Sequence, residues 1–152
     1  MAWIELTSTA LKELMAGPEF SAVTSAAKGT GQDAEEMVEN VIARVVKMAR
    51  GYIGAKRAVG PEGTIPDEVE AACLAMARVD VLTRLPGLKH LLTDERKSAA
   101  KDGLSLLKAV GRGEFVIVET DEPAEDQPAA PRVSVISTRE PRQTHEGLRR
   151  LF

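Results

Sequence analysis

Hydrophobic residues in the first two thirds of the chain recur every three or four positions, the spacing of a helix with one buried face. The first predicted helix spans about residues 8–16, with Thr7 or Ser8 as its cap and Gly17-Pro18 as its end. The second starts after a cap at Asp33 and ends near Gly54. It is the clearest of the helices, and its apolar stripe consists of Val38, Val41, Ile42, Val45, Ala49, Tyr52 and Ile53.

Two more helices follow a loop of turn-forming residues. The third runs from Pro66 to about Leu85, and its alanines allow a neighbouring helix to approach closely. The fourth begins after a Thr93 cap and ends at Gly111-Arg112-Gly113. Gly103 in its middle costs about 1 kcal/mol relative to alanine, which is tolerable if another backbone packs against it.

Segments 115–118 and 132–137 have the composition of short strands. The acidic segment between them is too long for a good independent hairpin, so we expect the strands to add to a sheet edge in this subunit or in a neighbour. The predicted fold class is all-α. It is a small bundle of about four helices, followed by an extended C-terminal arm that contains short β-strands.

The composition suits helix packing. The chain has 152 residues, of which 43% are hydrophobic and 3% aromatic, so aliphatic side chains must fill the core. The single cysteine, Cys73, lies in the apolar pattern of the third helix, and we interpret it as a small buried hydrophobe. The sequence shows neither a secretory signal nor a run of about 18 apolar residues. We therefore expect a protein made in the cytoplasm, with no membrane partner.

Charge divides the chain into three parts. Residues 119–131 carry five acids and no base, while residues 132–152 carry five arginines against two glutamates. The division predicts a helical domain at 1–118, an acidic Pro-rich linker at 119–131 and a basic C-terminal docking arm at 132–152. Beyond a solvated linker the arm has nothing of its own to pack on, so we expect it to dock onto another chain.

Apolar anchors and arginines make up the predicted docking site. The anchors are Val133, Val135, Leu148, Leu151 and Phe152, and the charge partners are Arg132, Arg139, Arg149 and Arg150. The alternative is that the two valines pair with residues 115–118 and cover their own bundle.

Catalytic and metal-binding patterns are missing from the sequence. The two histidines, His90 and His145, are far apart, and neither has a His or Cys at ligand spacing. The acidic pairs at 35–36 and 94–95 lie at helix starts, where capping and the helix dipole explain them. The segments GPEG and GRG lack the Lys-Ser/Thr of a phosphate loop. We expect no enzymatic activity, no cofactor and no metal.

A basic cluster in the helical part leaves one alternative open, a small helical DNA-binding regulator. Nucleic-acid binders usually carry a denser basic face together with stacking aromatics. We therefore interpret the cluster as a solvated face or an interface. It consists of Arg44, Lys47, Arg50, Lys56 and Arg57.

Five segments occur in an informative order: WIELT, VIARVVKMARGYIGAKR, IPDEVEAACLAMARVDVL, TDERKSAAKDGLSLLKAVGRGEF and RVSVISTREPRQTHEGLRRLF. Their succession resembles the small head-to-tail connector (neck adaptor) family of Mu-like and related tailed phages and prophages. The chain departs from the family pattern in the loop at 54–64 and in the length of its acidic linker. The matching positions are Tyr52 and Arg57, Pro66, Asp94-Glu95-Arg96, Leu107 with Gly111 to Gly113, and Leu148-Arg149 with Phe152.

The resemblance implies a structural virion protein at the neck, made in the bacterial host cytoplasm. Its helical adaptor domain would form a ring under the portal and join the DNA-filled capsid to the tail. The implied partners are the portal protein, the tail or tail-terminator protein, and further copies of the chain in a twelve-fold ring. DNA would pass through the channel without specific binding. A tail-completion or terminator protein is an alternative, although that class usually shows more strand pattern.

Overall fold

The computed structural model describes residues 2–115. The predicted linker and docking arm, and residues 116–118 of the first predicted strand, lie outside the described residues. The helices are α1 (Ser8–Leu14), α2 (Gly17–Gly29), α3 (Ala34–Gly54), α4 (Glu70–Arg84) and α5 (Asp94–Arg112), and the strands are β1 (Trp3–Glu5) and β2 (Thr64–Pro66). The prediction of a small helical bundle is confirmed. No helix within residues 2–115 is long and apolar enough to cross a membrane.

The predicted helix caps all form. The Thr7 hydroxyl accepts a hydrogen bond from the backbone N–H of Ala10 at 3.2 Å, and the Thr93 hydroxyl accepts one from Arg96 at 3.4 Å. The Asp33 carboxylate accepts hydrogen bonds from the backbone N–H groups of Glu35 and Glu36 in the first turn of α3, at 2.7 and 3.2 Å. Each cap satisfies an amide that has no partner inside its helix. At the other end of α5, Gly113 adopts a left-handed conformation with φ of 79°, which closes the helix as predicted.

Helix α2 was not predicted. The Gly17-Pro18 pair does end α1, but Pro18 also lies in the first turn of α2, where its missing N–H has no cost. The helix buries Val23 and Ala27, but few other apolar side chains mark its inner face. Because most of its residues are small or polar, they form no continuous apolar stripe from which the helix could be predicted.

The N-terminus and the loop before α4 form a two-stranded sheet that was not predicted either. Strands β1 and β2 are antiparallel, with Ile4 opposite Ile65. The third helix was predicted to start at Pro66. The chain instead forms a 3₁₀ turn at Asp67–Val69, and α4 begins directly after this turn, at Glu70. Three-residue strands are too short for an alternating pattern to stand out.

The core lies between α3, α4 and α5. The inner stripe of α3 is buried as predicted, with Tyr52 at its edge half-buried. Helices α4 and α5 come close together at Gly103, where a Cβ would lie 2.9 Å from the carbonyl oxygen of Ala72. This contact confirms that a backbone packs against Gly103. Cys73, which follows Ala72 on α4, is fully buried, and burial raises the pKa of its thiol to about 12.

A buried carboxylate ties α2 to the rest of the bundle. Glu19 is 6% exposed. Its Oε1 accepts a hydrogen bond from Nε of Arg78 at 2.9 Å, and its Oε2 accepts from Nη2 of both Arg78 and Arg96, the latter at 2.9 Å. Because the two arginines belong to α4 and α5, one side chain links three helices.

Candidate functional site

All of the predicted docking residues lie outside the described part of the chain. The structure therefore neither brings them together nor separates them. What residues 2–115 offer instead is a surface groove that the sequence did not predict. The docking residues concerned are Arg132, Val133, Val135, Arg139, Leu148, Arg149, Arg150, Leu151 and Phe152.

The groove runs between the end of β1, the start of α1, the middle of α3 and the loop before β2. Its volume is about 690 Å³. Leu6, Ile42 and Val46 are buried and give it an apolar floor. The remaining lining residues are Glu5, Thr7, Ser8, Glu39, Ala43, Lys47, Arg50, Glu62 and Gly63.

The rim of the groove is acidic. Glu5, Glu39 and Glu62 are exposed, and the ion pairs within residues 2–115 include none of them. Of the two basic residues in the lining, Lys47 is exposed, whereas the guanidinium of Arg50 is already hydrogen-bonded to backbone. Three carboxylates against two cations leave the lining with one net negative charge, since Arg50 keeps its charge when it bonds to neutral carbonyl oxygens, and this favours a basic ligand over an acidic one.

Arg50 holds the loop that forms one wall of the groove. Its guanidinium donates hydrogen bonds to the carbonyl oxygens of Gly60 at 3.0 Å, Pro61 at 2.6 Å and Thr64 at 2.7 Å. On the other side of the loop, the Trp3 ring lies so close to Gly60 that a Cβ there would be 2.3 Å from it. The loop is thus pinned between α3 and β1, in the region where the sequence departs from the connector pattern.

Strand β1 has an edge without a strand beside it. In an antiparallel pair, alternate residues direct their N–H and C=O groups toward the partner strand. The Asp67 amide donates to the Ala2 carbonyl at 3.1 Å, and in the same register Ile4 bonds with Ile65. It follows that the backbone groups of Trp3 and Glu5 point to the outer edge of β1, which has no second neighbour among the described strands.

The described residues contain no group of three or more His, Cys, Asp or Glu side chains that could hold a metal ion. The perturbed acids have structural explanations. Hydrogen bonds from its own backbone amide and from Thr93 lower the pKa of Glu95 at the start of α5. Beside the 3₁₀ turn, a side-chain hydrogen bond between Asp67 and Glu68 lowers the pKa of Asp67, while burial and that bond raise the pKa of Glu68.

Two residues of the basic cluster on and just after α3 already make contacts inside the molecule. Arg44 pairs with Asp80 on α4, and Arg50 holds the loop. Lys47 and Lys56 are exposed. Asp80 thus offsets the charge of Arg44, whereas Arg50 keeps its charge. The interpretation of the cluster as a solvated face or an interface stays a prediction.

Among the residues that carried the family resemblance, those within residues 2–115 lie outside the groove, and several of them support the fold. Tyr52 packs against Gly111, where a Cβ would lie 3.1 Å from its ring. Leu107 is fully buried, and Arg96 bonds to the buried Glu19.

Comparison with protein-family models gives a match. Residues 6–135 match the family model described as Bacteriophage Mu, Gp36, so the match covers most of the chain. It confirms the predicted likeness to proteins of Mu-like phages. No curated protein and no solved structure matches the chain.

Proposed function

The chain belongs to the bacteriophage Mu Gp36 family, and from this premise we propose that it is a head-to-tail connector of the virion. As such it forms a ring under the portal and joins the DNA-filled capsid to the tail. The portal protein, the tail or tail-terminator protein and further copies of the chain are its partners. DNA passes through the ring without specific binding, and the protein has no enzymatic activity.

The observation that carries this proposal is the extent of the family match. Residues 6–135 include the helical domain, the acidic linker and the first residues of the basic arm. A connector needs these parts together, because a compact body must hold its place in a ring while an extension reaches the next component. Family membership supports a structural or morphogenesis role in a phage, and the arrangement of parts supports the connector role.

The helical domain is suited to a ring that transmits mechanical load. Helices α1, α3 and α5 have side-chain caps, α4 and α5 pack with backbone in contact at Gly103, and Glu19 ties three helices together. Buried charge networks of this kind fix one arrangement of helices, since any other leaves a charge without its partner. A body with one arrangement keeps the spacing between successive subunits constant.

The arm supplies the contacts between components. Its apolar anchors and arginines fit a partner that offers apolar pockets with acidic surroundings. Repetition around a closed ring turns one modest arm contact into strong overall binding, because each contact holds the next in place.

The proposal is tested by truncating the chain after Glu119. We expect the truncated protein to remain soluble and helical by circular dichroism, since the described helices all precede this point. It should no longer bind the portal protein of the same phage in a sedimentation assay, whereas the full chain should. Equal binding by both proteins would contradict a docking role for the arm.

A further inference from the structure

We propose that residues 132–137 of a neighbouring copy, the segment RVSVIS, pair with the free edge of β1 as a third strand and lie along the acid-rimmed groove. This inference rests on the proposed ring and deepens it, because it names the contact that joins successive subunits. The rest of the arm, including Phe152, is then available to bind the portal protein.

Backbone geometry provides the first argument. The outward N–H and C=O groups of Trp3 and Glu5 can bond to an added strand, and the groove begins where β1 ends, at Glu5 and Leu6. Strand addition to an exposed edge obtains its affinity from main-chain bonds and its specificity from pockets for alternate side chains. The segment 132–137 has strand composition, and it lacks proline after Pro131.

Side-chain chemistry provides the second argument. In a strand, Val133 and Val135 share one face, and this spacing fits the apolar floor of the groove at Leu6, Ile42 and Val46. Arg132 is the first residue of the segment, and Arg139 lies two residues beyond its end. They complement the rim, whose three glutamates have no cation partner within residues 2–115.

Length provides the third argument. The 16 residues at 116–131 separate the described domain from the segment. When extended they reach about 50 Å, whereas a compact domain of about 115 residues is about 35 Å across. The segment can therefore cross to the groove of an adjacent subunit.

Disulfide trapping between two different chains tests the proposal. One full-length chain carries Ala43→Cys in the groove, and a second, with a longer tag, carries Val135→Cys in the arm. The native Cys73 does not compete, because it is fully buried. Mixing the two chains under mild oxidation, at concentrations up to about the millimolar range where weak contacts form, should give a mixed dimer that the tags identify on a non-reducing gel.

A matched control replaces the groove cysteine by Ser98→Cys on the exposed side of α5, away from the groove. We expect the mixed dimer to form with Ala43→Cys and to be nearly lost with Ser98→Cys. Equal yields from the two sites, or no mixed dimer at any concentration, would overturn the proposal. A chain that carries both Ala43→Cys and Val135→Cys provides one more check. If it forms an intramolecular disulfide and no dimers, the proposal is also overturned.

Charge exchange provides a second readout. Glu39→Lys should reduce the yield of mixed dimer several-fold, and Arg139→Glu in the partner chain should restore it, because Arg139 shares the strand face of Val133 and Val135 and the charge pair is then reversed. Glu13→Lys on α1, outside the groove, should leave the yield unchanged. A yield that does not respond to Glu39→Lys would contradict a role for the acidic rim.

Failure of this inference can be told apart from failure of the connector role. If disulfide trapping fails but phage without the gene yields separate heads and tails, the connector role stands, and the proposed pairing of residues 132–137 with β1 of a neighbouring copy is overturned. If trapping succeeds but such phage assembles normally, the self-contact stands and the connector role falls.

Discussion

Gly103 is the residue that sets the distance between α4 and α5. Two effects oppose each other when it is replaced by alanine: helix propensity favours alanine by about 1 kcal/mol, but the new Cβ would lie 2.9 Å from the carbonyl oxygen and 3.2 Å from Cα of Ala72. Both atoms belong to backbone and cannot turn aside. We expect the clash to dominate and Gly103→Ala to lower the free energy of unfolding by about 1–2 kcal/mol in urea denaturation.

Gly51 on α3 is the matched control for this prediction. It lies on an exposed helical position, and a Cβ there would meet nothing within 4 Å. Gly51→Ala should therefore raise the free energy of unfolding by roughly 0.5–1 kcal/mol. Changes of the same sign at the two positions would contradict the close packing of α4 against α5.

Glu19 is the residue whose loss should cost most among the acids of the described domain. Its carboxylate is nearly inaccessible to solvent, and it balances the charge of two guanidinium groups, those of Arg78 and Arg96, which are themselves mostly buried. Glu19→Gln leaves both guanidinium groups without a charge partner and should destabilise the protein by about 3 kcal/mol. Glu13→Gln replaces an exposed acid of α1 that has no ion pair within residues 2–115, and it should change stability by less than about 0.5 kcal/mol. Thermal unfolding of the two variants side by side measures the difference.

At the scale of elements, the sequence predicted the long helices and missed the short pieces. Helix α3 has a full apolar stripe with an Asp33 cap, and α5 has a Thr93 cap and a glycine end, so periodicity and caps agreed. Helix α2 has neither a side-chain cap nor a full stripe, because much of what holds it is the buried Glu19. A polar residue on an inner face is invisible to a search for apolar periodicity.

The sheet and the groove could not be predicted for a related reason. Both arise from contacts between segments far apart in the chain: β1 with β2, and Arg50 with the loop at 60–64. Such contacts depend on how the whole bundle packs. They produce no periodic pattern of apolar residues within the segments themselves. The docking arm is the opposite case, since composition and charge alone predicted it, and it lies outside the described residues.

Arg50 provides a prediction at the scale of elements. Arg50→Met keeps an apolar stem along α3 but removes the three hydrogen bonds to the loop. We expect amide hydrogens at residues 60–64 to exchange at least about tenfold faster, since each bond from a charged donor contributes about 1.5 kcal/mol or more. Lys47→Met, one turn earlier and exposed, should leave exchange in this loop unchanged. Mass spectrometry of peptides from the loop gives the measurement.

At the scale of the whole molecule, Phe152 distinguishes an arm that docks from an arm that covers its own domain. If the arm docks, Phe152→Ser should reduce binding to the portal protein and leave the melting temperature within about 2 °C of the original. If the arm covers its own bundle, the melting temperature falls instead. Leu14→Ser is the control, because Leu14 is an exposed apolar residue of α1 outside both the groove and the arm, and it should change neither property.

The central claim is that this protein joins heads to tails, and electron microscopy of particles made without its gene tests that claim most directly. We expect DNA-filled or leaking heads lying beside complete, unattached tails, with joining restored when the full chain is supplied from a plasmid. Normal joined virions in the absence of the gene would contradict the connector role.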